Sequence, residues 1–240
     1  MADYTIVLKH REEVAEETMA FRFDIAGTGY TFKAGQNAAF TLLDPPETDI
    51  AGNTRTLSFA SSPNDLSSVI VAMRMRRSAF KNSLRALPLG SKLRVSSAIG
   101  SFSLHTDSTK PAVFLVGGIG ITPVLSILAH AAERALPHQI YVFYSNRDAR
   151  KVAFLDELQR WEKTNPAFTF IPTVTTPNGS VWPFEHGRID AQMLTRYIPE
   201  VHKPVYYVCG PPEMVTAMQK LLYSLGVNED NIRSEEFGGY

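Results

Sequence analysis

Val113–Leu128 reads VFLVGGIGITPVLSIL and changes character twice. An apolar run ends at Val116, glycines stand at 117, 118 and 120, and Thr122-Pro123 precedes a second apolar run. That order predicts a buried strand over Ala112–Val116, a tight turn, and a helix over Pro123–Arg134. Threonine suits the N-cap and proline suits N1, where the missing N–H has no intrahelical partner anyway. Glycines at this junction let a phosphate approach backbone amides at the positive end of a helix. An ordinary tight strand–helix turn has the same composition, and GGIG lacks the GxGxxG spacing of the dinucleotide fingerprint. The uncharged run from Pro111 to Ala132 is long enough to span a bilayer. Its interior glycines and Pro123, with His130 after them, fit a strand, turn and helix instead, so no membrane insertion is expected.

Working outward, strands and helices keep alternating downstream. Gln139–Tyr144 precedes a helix near Ala153–Lys163, and Phe168–Val174 is a strand followed by a loop holding Trp182 and Pro183. A helix near Asp190–Tyr197 leads to a strand at Pro204–Cys209 and a closing helix at Pro212–Leu225. This is the pattern of a parallel sheet with helices on both faces. Upstream the rhythm differs. YTIVLKH, MAFRFDI, AAFTLL, RTLSFA, SVIVAMRM and KLRVSS are short β-branched and aromatic runs between turn signals, with one helix near Ala79–Leu87. Six such runs predict a closed antiparallel barrel. The change falls in the loop Thr106–Pro111, giving a barrel domain over 1–107 and an α/β domain over 108–240.

Composition narrows the function. Lys plus Arg equal Asp plus Glu at 24 each, so nothing suggests a nucleic-acid partner, and any anion site must be local. The single Cys209 excludes an internal disulfide and a cysteine-ligated iron–sulfur cluster within this chain. His10, His105, His130, His138, His186 and His202 show no ligand spacing, so no metal is expected. MADYTIVLKHREE carries charges where a secretory leader needs an apolar run, which makes cytoplasmic the expected location.

Three further stretches bear on chemistry. RTLSFA puts Arg55 on the same face as Leu57 and Phe59. A buried, unpartnered guanidinium is unfavourable by several kcal/mol. Arg55 therefore either reaches water at a sheet edge or meets an anion brought by a ligand. VYYVCGPPEMV runs from a buried strand into Cys209-Gly210-Pro211-Pro212, at the carboxyl end where α/β sheets bind ligands. A lone cysteine is also simply a small buried hydrophobe. VFYSNRDARK ends another strand with Ser145, Asn146 and Arg147, which suit a ribose or its 2′-phosphate but equally a solvated loop.

Taken together, Arg-x-x-Ser at Arg55–Ser58, GGxGxTP at 117–123, CGPP at 209–212 and the C-terminal EEFGGY at 235–240 occur in the order of one family. The chain resembles the ferredoxin–NADP reductase superfamily from end to end. The resemblance implies that the barrel holds FAD and the α/β domain binds NAD(P)H, as NADH or NADPH. It implies that Arg55 lies on the flavin pyrophosphate, that Ser58 contacts flavin N5, and that the ligand brings the counterion for Arg55. Thr56 and Leu57 belong to the same motif, where Leu57 replaces the family's usual aromatic ring and loosens the choice of FAD over FMN. Ala72-Met73-Arg74 matches the segment along the ribityl chain. Ser78-Ala79-Phe80-Lys81 matches a phosphate turn at a helix start, with Ser78 for the usual glycine and Lys81 for the usual serine. Gly117, Gly118, Gly120, Ile121 and Thr122 would take the NAD(P)H pyrophosphate, and Cys209, Gly210 and Pro211 the nicotinamide. Phe237, with Tyr240, would cover the flavin, and Glu235 or Glu236 would steady developing charge.

The implied activity is hydride transfer from NAD(P)H to FAD, with Ser58, Cys209 and Phe237 at the reacting centre. Electrons then pass to a separate ferredoxin, oxygenase or other carrier, such as a separate iron–sulfur protein. Two alternatives remain open at this point: a diaphorase or flavin reductase using a diffusible small acceptor, and a non-catalytic flavin- or nucleotide-binding redox sensor.

Overall fold

The protein, seen here as a computed structural model, is described over residues 3–176 and 181–238. Six strands come first: β1 (Asp3–Ala15), β2 (Thr18–Asp24), β3 (Asn37–Leu42), β4 (Thr54–Ser58), β5 (Ser68–Arg74) and β6 (Lys92–Ser96). The helix α1 (Ala79–Ala86) lies between the last two. They pair antiparallel in the order β4-β3-β6-β1-β2-β5. The ends of this order also meet. Phe59 bridges Val71, and the Ala60 N–H donates to the Ile70 carbonyl at 2.8 Å, so the sheet closes into a barrel. Alternation along each strand sends Ile6, Leu8, Phe21, Phe23, Phe40, Phe59, Val69 and Val71 inward, all fully buried in one core. β1 is much longer than the expected run. Its second half forms a hairpin with β2 through Glu16-Glu17, with Glu17 at φ 58, a turn that carries neither Gly nor Asn.

The second set contains β7 (Ala112–Gly117), α2 (Ile121–Glu133), β8 (Ile140–Asn146), α3 (Leu155–Thr164), β9 (Phe168–Val174) and β10 (Glu185–His186). It continues with α4 (Ala191–Tyr197), β11 (Val205–Gly210), α5 (Pro212–Ser224) and β12 (Ile232–Glu236). The strands form one parallel sheet, ordered β10-β9-β8-β7-β11-β12. Every residue of the inner strands β7 and β11 is buried, as expected where both faces are covered. The fold is therefore an antiparallel six-stranded barrel followed by a parallel-sheet α/β unit. β12 was not expected: IRSEE has no apolar pattern, and it becomes a strand because β11 offers it an open edge.

Packing groups residues 1–103 with 122–133, and residues 104–121 with 134–240. The expected cut at 107/108 differs from this grouping chiefly in α2. Polar contacts hold that helix to the loop after β4. The Ser62 hydroxyl and the Asn64 amide donate to Glu133 Oε2 at 2.5 and 2.7 Å, and His130 Nδ1 lies 3.2 Å from Asn64 Oδ1. Among the described residues no helix is long and apolar enough to cross a membrane.

Candidate functional site

In the barrel, the inward face of β4 ends at Arg55. Leu57 and Phe59 on that face enter the core, whereas the Arg55 guanidinium lies over the Phe80 ring, 5.4 Å from its centroid. Its Nη1 donates to the carbonyls of Ala51, Gly52 and Thr54 at 2.9, 2.9 and 2.7 Å. Its Nη2 lies 3.3 Å from Asp49 Oδ1. The other carboxylate oxygen, Asp49 Oδ2, accepts the N–H of Ala79, the first residue of α1, at 3.0 Å. The Ala79 amide leads in holding the Asp49 carboxyl below the usual carboxylate range, helped by the Ala51 amide and Arg55. This corrects one expectation: the protein itself supplies a counterion to Arg55, and the charge does not wait for a ligand. Lys81 is nine-tenths buried, and burial together with Arg76 and Arg55 pushes its ammonium below the ordinary lysine range.

In the α/β unit, the glycine turn and the CGPP turn are packed into each other. Gly117 aligns with Ser145 of β8, while Cys209 pairs with Val116 on one side and Glu235 on the other. A Cβ on Gly120 would lie 2.6 Å from the Cys209 carbonyl oxygen, and one on Gly117 would lie 2.3 Å from Met214 Sδ. Gly120 is therefore required first by the approach of β11, while Gly117 leaves room for the Met214 side chain of α5. The helix begins two residues earlier than expected. Gly118–Gly120 is a 3₁₀ turn and α2 starts at Ile121, so Thr122 is not an N-cap and Pro123 is the third helical residue. Pro123 is tolerated there because the first four helical amides have no intrahelical partner.

Cys209 is fully buried, and its burial together with the neighbouring Glu235 raises its thiol pKa. The Phe237 N–H donates to the Gly210 carbonyl at 2.9 Å, which fastens the end of β12 beside the CGPP turn. At the end of β8, Asp148 is 2% exposed and takes the Arg150 guanidinium at 3.2 and 2.9 Å. Arg147 is exposed, while Asn146 is buried and its carbonyl accepts the Thr175 N–H at 3.0 Å. Among the described residues no group of His, Cys, Asp or Glu is arranged to hold a metal ion.

A family model described as an oxidoreductase NAD-binding domain matches residues 114–220. Reductase component 1 of terephthalate 1,2-dioxygenase from a Comamonas species is 25% identical over 207 residues, covering 86% of this chain and 59% of that protein. The reductase component of propane 2-monooxygenase from Rhodococcus jostii is 26% identical over 233 residues, covering 94% of this chain and 61% of that protein. Over most of its length the chain is similar to these reductase components, and over residues 114–220 to an oxidoreductase NAD-binding domain. The fold agrees. The flavohaem-like FAD/NAD-binding domain of nitric oxide dioxygenase from Vibrio cholerae superposes with a TM-score of 0.85 at 18% identity, covering 98% of this chain and 99% of that one. The chain spans about three fifths of the curated relatives just named, 59% and 61%.

The site residues read from the ferredoxin reductase-like motifs divide by place. Arg55, Ala79, Phe80 and Lys81 come together at the start of α1, and Asp49 joins them although its loop carried no signal beyond a charged turn. Ser58, buried at the end of β4, pairs with Asn37, while Thr56 pairs with Ala39 and is exposed. Leu57 and Met73 are built into the barrel core, while Ala72 is buried beside Met73 and Arg74 ends β5 half-buried. In the other unit Gly117, Gly118, Gly120, Cys209, Gly210 and Pro211 form one junction, with Ser145 and Phe237 at its sides. Ile121 and Thr122 are buried in the first turn of α2. Tyr240 lies outside the described residues.

Proposed function

We propose that this chain is the flavin- and NAD(P)H-binding part of an electron-transfer reductase. It takes hydride from NAD(P)H and passes electrons to a separate acceptor, an oxygenase, a ferredoxin or another iron–sulfur carrier. The observation that carries this proposal is the junction of the GGIG and CGPP turns at the carboxyl ends of adjacent parallel strands, the place where α/β sheets bind nucleotides. The class of acceptor is supported by relatives that are themselves reductase components of a dioxygenase and a monooxygenase.

The residues of the barrel fit a flavin phosphate. An arginine fork and a helix N-terminal amide already converge on one carboxylate, and a phosphate uses the same donors. Arg55, the Ala79 amide and Lys81 would hold that phosphate, with FAD favoured over FMN, and Ser58 would stand at the ring. FAD, when bound, supplies the conversion of a hydride pair into single electrons. Gly117–Thr122 would seat the NAD(P)H pyrophosphate. Arg147 would be free to meet a 2′-phosphate, since Arg150 is engaged by Asp148. Phe237, fastened to Gly210, would shield the flavin ring. The modules proposed for these tasks are 1–107 and 108–240.

The test is anaerobic reduction. Protein loaded with FAD is mixed in parallel with NADH and NADPH, and flavin absorbance is expected to bleach with at least one of them. A protein that takes up neither FAD nor FMN, or whose flavin stays oxidised with both coenzymes, overturns the proposal.

A further inference from the structure

Three cations meet at the start of α1. Arg55 lies over Phe80, and the Lys81 ammonium feels both Arg76 and Arg55. The anion among them is the protein's own: Asp49 reaches Arg55 Nη2 at 3.3 Å and takes the Ala79 N–H at 3.0 Å, across 30 residues of chain. Ser78 occupies the N-cap position yet makes no capping bond, and its hydroxyl oxygen is buried with no hydrogen-bond partner. The helix start is thus completed from outside, by a carboxylate on a loop, while a buried hydroxyl beside it is left over. The loop is anchored on either side of Asp49. The Glu47 carbonyl accepts the Ser83 hydroxyl at 3.0 Å, and the Asn53 side chain donates to the Leu42 carbonyl at 2.8 Å. Between these anchors Ile50 is fully exposed, so Asp49 sits on a tip that projects into solvent.

We propose that Asp49 is an internal rival of the flavin phosphate: both anions use the Arg55 guanidinium and the Ala79 amide, so the carboxylate must leave before the phosphate enters. The inference rests on the flavin-binding function proposed above and adds a residue that sets cofactor affinity. A carboxylate and a phosphate cannot share these donors, because two anions at hydrogen-bonding distance repel and the single Ala79 N–H is already given to Asp49. Asp49 therefore stabilises the cofactor-free chain and weakens cofactor binding, two effects of opposite sign. A carboxylate that merely oriented Arg55 for the phosphate would give effects of the same sign.

The experiment compares the full chain with its Asp49→Asn variant in titrations with inorganic pyrophosphate, read by calorimetry and by melting temperature. Asp49→Asn is expected to bind pyrophosphate roughly three- to tenfold more tightly, the scale of one surface ion pair plus one helix-terminus charge, while its ligand-free melting temperature falls. Equal or weaker pyrophosphate binding in Asp49→Asn overturns the inference and leaves Asp49 a support for Arg55. Asp49→Ser keeps a hydroxyl for the Ala79 amide and provides the same comparison should the asparagine variant not fold. FAD uptake by the wild-type chain is read separately. Its failure would remove the proposed function, whereas the pyrophosphate comparison still decides what Asp49 does.

Discussion

Arg55→Ala removes a fork that now serves three carbonyls and one carboxylate. A hydrogen bond to a charged group contributes about 1.5–3 kcal/mol, so flavin affinity is expected to fall roughly tenfold or more. Equilibrium titration with FAD checks this, and unchanged affinity would assign Arg55 to the loop alone. Cys209 illustrates the opposite case, a residue whose chemistry is suppressed. Burial, reinforced by Glu235, raises its pKa, and the thiolate is the reactive form. A thiol reagent at pH 8 is expected to leave the folded chain unmodified and to label one cysteine once denaturant is added. Rapid labelling of the folded chain would place that sulfur at the surface. The sequence identified Arg55 and Cys209 through their neighbours on the chain, but it contained no sign of Asp49, because the donors that Asp49 meets belong to β4 and α1.

At the scale of elements, the interlocked turns distinguish two uses of glycine. A Cβ at position 120 would meet backbone, the Cys209 carbonyl, whereas one at 117 would meet the flexible Met214 side chain. Gly120→Ala is therefore expected to lower the melting temperature clearly more than Gly117→Ala, with overpacking worth about 1–3 kcal/mol at the former. Thermal unfolding of the two variants without coenzyme is the check. Equal, small effects would mean that the glycines serve only an incoming phosphate. The helix that follows was legible as a helix, but its start at Ile121 was not. Thr122-Pro123 has the composition of a cap and first turn, and the 3₁₀ turn before it moves that pair inside the helix.

At the scale of the whole molecule, acid should unsettle the α/β unit before it reaches the carboxylates. His105 is buried: its N–H donates to the Tyr207 hydroxyl at 2.7 Å, its ring nitrogens lie 3.0 Å from that hydroxyl and 2.9 Å from the Lys110 carbonyl, and its own carbonyl lies 2.9 Å from His138 Nε2. Burial is the first cause lowering its pKa below 6.5. The folded chain then binds fewer protons at this site than the unfolded chain. Its stabilising contribution is complete above about pH 6.5 and declines as pH falls from there through the folded value. The lowered carboxyls of Asp24, Asp49, Asp65 and Asp107 have the same sign but act lower, below about pH 4. Melting temperature is expected to drop between pH 7.5 and 5.5 in the wild type, and less in His105→Gln. An identical drop in both would move the effect to another group.

The sequence by itself determined the two architectures, because strand alternation and strand–helix rhythm are properties of neighbouring residues. It also determined which turns carry the GGxGxTP and CGPP motifs, since those are contiguous runs. Only the tertiary structure decided the Glu16-Glu17 hairpin and the polar strand β12, which exist because a partner strand offers backbone groups to pair with. It alone grouped α2 with the barrel, through Ser62, Asn64 and Glu133. It alone brought Asp49 to Arg55 and Ala79, and the Cys209 carbonyl to Gly120. Each of these depends on contacts between residues far apart in the chain, and local composition does not encode where such partners meet.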